Sequence, residues 1–140
     1  MRPGMLLVVP PVLLAACATN RLDHQGDRTG RWRTYHDAAN RQRQSSGRYR
    51  HNQPVGHWRY YAYAGYLERE ERFRRGGTSR ITYYHPNGHV WRQGLTRLAD
   101  NGRTLHYYWT GDWLVFAENG RLQQVDTYVL GKLVSSRPAQ

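Results

Sequence analysis

Seven histidines and a run of three glutamates are where this chain could do acid–base or metal chemistry. His85 and His89 stand four apart, as two ligands on one helix face would. Pro86-Asn87-Gly88 lies between them, however, and that triplet reverses the chain instead. His106 falls on the next strand pair, with no Asp or Glu at a spacing that would complete or orient a metal site. Glu68, Glu70 and Glu71 are interleaved with Arg69 and Arg72, the pattern of a charged strand face rather than of a catalytic carboxylate pair. No Gly-x-Ser-x-Gly nucleophile turn and no glycine-rich phosphate loop occurs. The expectation is therefore a protein with no catalytic residues, no metal and no cofactor.

Binding is the chemistry the composition favours. The formal net charge is +11, and all but one of the 21 basic residues are arginine. Arginine stacks on tyrosine and tryptophan and pairs bidentately with phosphate or carboxylate. One reading is a surface for anions: lipid headgroups, lipopolysaccharide phosphates, peptidoglycan carboxylates or an acidic protein. The other is a solvated face whose guanidinium groups cover surplus aromatic surface. Both stay open at this level. By residue type, the candidate contacts are Arg59, Tyr60, Tyr63, Tyr83, Arg92, Trp109 and Arg121. No nucleic-acid module is recognisable, and nucleic acid is not an expected partner.

These side chains must be positioned by a repeat. Trp58-Arg59-Tyr60-Tyr61-Ala62-Tyr63-Ala64-Gly65-Tyr66-Leu67, Ile81-Thr82-Tyr83-Tyr84-His85-Pro86-Asn87-Gly88-His89-Val90 and Trp113-Leu114-Val115-Phe116-Ala117-Glu118-Asn119-Gly120-Arg121-Leu122 align on their glycines. Trp58, Ile81 and Trp113 share one column, and Tyr61, Tyr84 and Phe116 another. A weaker copy runs from Leu95 through Asn101-Gly102, and a degenerate one opens at Trp32 and Tyr35. Each copy reads as a β-hairpin: aromatic and β-branched residues, then Asn-Gly or Ala-Gly supplying the turn. Alternation puts the Trp58 column on one face and the Tyr61 column on the other. One hairpin cannot bury such rings, so neighbours must lie side by side and share a core.

In these residues the chain resembles the variant form of the MORN repeat. The resemblance implies an all-β, elongated, twisted antiparallel meander of stacked hairpins that holds partners or membranes rather than catalysing. The Glu-Gly-x-Trp start of the better-known form is missing, and the turn glycines are spaced by 23, 14 and 18 residues.

Residues 1–16 read as a leader. Arg2 gives the positive start, an apolar run follows, and Pro10-Pro11 breaks a segment already too short to span a bilayer. Leu14-Ala15-Ala16-Cys17 resembles the bacterial lipoprotein box. This implies that Cys17 becomes the acylated N-terminus and anchors the protein to a membrane through its lipid. Ala18, where that family uses aspartate for inner-membrane retention, implies the outer membrane facing the periplasm. With Cys17 acylated, no thiol remains for disulfides or Cys-ligated zinc.

The expected organisation follows. Residues 17–29 form a lipidated cysteine and flexible tether, 30–135 the repeat domain, and 136–140 a loose tail. Residues 41–47 have little to bury and read as a loop or frayed hairpin, and Thr110-Gly111-Asp112 reads as a turn. Residues 67–73 read as a return strand rather than a helix. The function expected is a lipid-anchored binding module for an envelope component or protein; the alternative is an immunity protein that blocks a toxin enzyme.

Overall fold

The computed structural model describes residues 18–100 and 102–140 as a single antiparallel meander of ten strands. In chain order these are β1 (Arg21–Leu22), β2 (Arg28–Tyr35), β3 (Arg43–Arg50), β4 (Gln53–Tyr61), β5 (Leu67–Phe73), β6 (Thr78–Tyr84), β7 (Val90–Asp100), β8 (Leu105–Phe116), β9 (Leu122–Val129) and β10 (Lys132–Pro138). Every strand pairs with its sequence neighbours, so the sheet is open, with β1 and β10 at its edges. The described residues contain no helix, and the all-β class read from the sequence holds.

Glycine places the turns. In 62–66, 85–89 and 117–121 the first residue's N–H donates to the fifth residue's carbonyl. Gly65, Gly88 and Gly120 take the fourth position at φ +91°, +86° and +83°, as a three-residue hairpin loop requires. These three turns, with 36–42, lie at one end of the sheet. The turn at Gly102 lies at the opposite end, because it joins β7 to β8. The weaker copy is therefore out of frame with the others. From Gly88 to the next in-frame glycine, Gly120, the interval is 32 residues instead of 23 because β7 and β8 are 11 and 12 residues long.

Other boundaries also differ from expectation. The 41–47 stretch is mostly strand, since β3 is hydrogen-bonded on both sides and needs little apolar surface of its own. Thr110-Gly111-Asp112 lies inside β8, where Gly111 at φ +69° absorbs a bulge rather than turning the chain. β10 runs to Pro138, so most of the expected tail is paired with β9. The supposed tether holds β1 and the start of β2. Cys17 and the leader lie outside the described residues.

The core occupies one face. Cross-strand partners point the same way, so Trp58, Glu71, Ile81 and Gly94 form one run and Trp113, Asp126 and Ser136 another, joined where the Trp113 indole lies over Gly94. The Trp58, Ile81 and Trp113 column is buried there, at 4%, 0% and 0% exposure. Gly-x-Trp occurs three times, at Gly30-Arg31-Trp32, Gly56-His57-Trp58 and Gly111-Asp112-Trp113. Each of these glycines has φ near +70°.

Two indoles lie over a glycine of the preceding strand. Trp58 covers Gly47 and Trp113 covers Gly94, each so closely that an added Cβ would enter the ring. Both glycines sit where the ladder register slips by two residues. The carbonyl just beyond each accepts the indole N–H: Arg48 O from Trp58 at 3.1 Å and Leu95 O from Trp113 at 3.2 Å. A bulge thus frees an acceptor and makes room for the ring that uses it.

Candidate binding surfaces

Two positions beyond the tryptophan row, on the same face, Tyr60, Arg69, Tyr83 and Arg92 are successive cross-strand partners from β4 to β7. Arg69 lies 4.0 Å over the Tyr60 ring and 5.9 Å from that of Tyr83. Arg92 lies between Trp91 at 4.9 Å and Trp109 at 5.2 Å. Its Nη2 also stands 3.8 Å from the buried Asp126 carboxylate. Four of the seven sequence candidates, Tyr60, Tyr83, Arg92 and Trp109, therefore belong to one half-buried aromatic–guanidinium ladder. Arg69 belongs with them. Sequence reading assigned it to a charged strand face; its position opposite Tyr60 depends on register.

The other three candidates lie elsewhere. Arg59 is on the opposite face, where its Nε donates to Glu70 at 2.9 Å. Glu70 also accepts the Tyr84 hydroxyl at 2.9 Å and has His57 Nε2 at 3.1 Å. Burial raises the Glu70 pKa, but Arg59, Tyr84 and His57 outweigh it and hold the carboxyl below its ordinary value. Tyr63 is a turn residue, 68% exposed, beside a shallow cleft lined by Arg43 and Gly65. Arg121 ends the 117–121 turn and lines another with Asn119 and Ala139.

The histidines at the turn end are clips between hairpins. His36 Nε2 is 2.8 Å from Tyr61 O, His85 Nε2 is 3.0 Å from Phe116 O, and His89 Nδ1 is 2.6 Å from Glu118 O. A different group, Asp23, Asp27 and His51, brings metal-type ligand atoms together at the other end of the sheet. Its carboxylates already serve the local turns. Asp23 Oδ1 accepts the amides of Gln25 and Asp27, and Asp27 Oδ1 accepts from Asn52.

One buried polar network combines an acid with hydroxyls. Glu71 Oε1 accepts from Ser79 Oγ and, at 2.8 Å, from Tyr107 OH, and Ser79 also meets Thr96 Oγ1. Ser79 is 2% exposed, closed to any substrate, so the network holds strands together.

Burial pushes the Tyr60 hydroxyl up to about 12, with the Glu71 carboxylate adding to it. Burial and Glu70 bring Tyr84 to about 12, and Tyr107 is raised further, first by burial. The unfolded chain releases these protons near 10, so the fold holds them more tightly. The stability they give is complete below pH 10 and is lost as pH rises toward 12. After allowance for partial exposure the loss is about 1 kcal/mol per tyrosine. Circular dichroism against pH should show unfolding set in above pH 10 and move upward in Tyr60→Phe/Tyr107→Phe. Coincident curves for the two proteins would refute this cause.

Compared with known proteins, the chain matches no family model, no curated protein and no solved structure.

Proposed function

We propose that this chain is a lipid-anchored, non-enzymatic binding module built of MORN-like hairpins, placed at the bacterial outer membrane and facing the periplasm. Its ligand is an anionic envelope component or a partner protein. The observation that carries the reading is the face opposite the tryptophan row. There Arg31 faces Arg48 and Arg72 faces Arg80 across neighbouring strands, all four exposed. Like charges placed directly opposite weaken a sheet, and an anion bridging them offsets the repulsion. Leu14-Ala15-Ala16-Cys17 supports the anchor.

A second reading, an immunity protein that blocks a toxin enzyme, draws support from the exposed Val129, Leu130, Leu133 and Val134 around the last hairpin. Two measurements test the main reading. Cys17→Ser should abolish incorporation of labelled fatty acid and move the protein into the soluble fraction; unchanged membrane partition would remove the anchor. Crosslinking in cells should recover one component in fixed ratio, and the yield should fall when Arg31, Arg48, Arg72 and Arg80 become glutamine. Recovery of general envelope debris alone would remove the binding role.

A further inference from the structure

The first edge of the sheet is closed by one side chain. Asn20 N donates to Arg31 O at 2.8 Å, its Nδ2 donates to Arg33 O at 2.9 Å, and its Oδ1 accepts from Arg33 N at 2.7 Å. The amide thus serves β2 as another strand's backbone would. Only Ala18 and Thr19 separate this clamp from Cys17. Three Cα steps span at most about 11 Å, whereas a free segment from 17 to 29 would reach about 40 Å. An acyl chain on Cys17 therefore holds the β1–β3 edge close to the lipid surface instead of suspending the domain above it.

Charge is graded along the same direction. Residues 18–50 carry eight arginines against three aspartates, while residues 105–140 carry three basic side chains against three acidic ones. On the face opposite the tryptophans, β2 and β3 present Arg31, Arg33, Arg48 and Arg50, all exposed. None of these four guanidinium groups has a carboxylate within 4.0 Å among the described residues. A basic patch beside a lipid anchor adds to membrane attachment, each arginine near an anionic surface contributing.

We infer that the β1–β3 edge is a second membrane contact, seated on the anionic headgroups of the leaflet that holds the anchor. Arg31, Arg33, Arg48 and Arg50 face the phosphates, and β8–β10 project away, free for a partner. This rests on the acylation of Cys17 proposed above.

The test has one arm without the lipid and one with it. In the first, the Cys17→Ser protein is floated with vesicles of phosphatidylglycerol and phosphatidylethanolamine, or of phosphatidylcholine. It should bind the former at low salt and leave them as salt rises. Changing Arg31, Arg33, Arg48 and Arg50 to glutamine should weaken binding at least about tenfold, and changing Arg121, Lys132 and Arg137 less than about twofold. Equal losses from the two sets, or equal binding to phosphatidylcholine, would overturn the contact. An unchanged thermal midpoint verifies that each variant is folded.

In the second arm, the acylated protein carries a nitroxide on Arg33→Cys or on Val134→Cys in the same anionic vesicles. The first should be shielded from an aqueous nickel chelate and the second open; equal access would reject the orientation while leaving the anchor intact. Absence of fatty acid on Cys17 with arginine-dependent flotation retained would remove the anchor and the leash, leaving only the basic edge.

Discussion

Gly94→Ala should lower the unfolding free energy by about 3 kcal/mol, although it adds a single methyl group. The new Cβ would enter the Trp113 indole, and that ring has nowhere to go. Trp109 is stacked on it at 3.9 Å, Tyr128 meets it at 6.0 Å, and its N–H is tied to Leu95 O. Gly47→Ala should behave likewise beneath Trp58, whose ring is flanked by Tyr49 at 4.8 Å. Urea unfolding would measure both. Combining Gly94→Ala with Trp113→Leu should cost clearly less than the sum of the single changes, because the smaller side chain removes the clash. Strict additivity, or a loss under about 0.5 kcal/mol for Gly94→Ala, would show that the glycine does not seat the indole.

The second large effect concerns Glu71, which stands between Trp58 and Ile81 in the buried row at 4% exposure. Glu71→Ala leaves the Ser79 and Tyr107 hydroxyls without the acceptor they share, and Ser79 is buried at 2% exposure. The expected cost is about 3 kcal/mol. Glu71→Gln keeps the shape and one carbonyl oxygen and should cost about 1 kcal/mol. Equal losses in the two variants would mean that the carboxylate contributes volume rather than hydrogen bonding. Tyr107→Phe gives an independent reading of the 2.8 Å bond across three strands.

Much of the fold was legible because it is written in local terms. Thr78–Tyr84 and Leu67–Phe73 follow from alternation between glycine turns, and the buried Trp58, Ile81 and Trp113 column follows from aligning those turns. β3 was not legible. Its residues are polar, and what makes it a strand is backbone pairing on both sides and a glycine beneath the indole of Trp58.

The candidate surface divides in the same way. Residue type picked out Tyr60, Tyr83, Arg92 and Trp109, which do share a face, but it also picked Arg59, which does not. It assigned Arg69 only to a charged strand face, although Arg69 sits over Tyr60 and within reach of Tyr83.

By itself the sequence determined that strands form, where most of them reverse, and that tryptophans fill the core. Those outcomes depend on φ preferences and period-two patterning within a few residues. Only the tertiary structure decided which arginines lie beside rings and which face outward, and that Asn20 clamps β2 at Arg31 and Arg33. The reason is that a bulge changes which residues meet across neighbouring strands. Whether a bulge forms at Gly47 or Gly94 is settled by an indole on the next strand, 11 or 19 residues away.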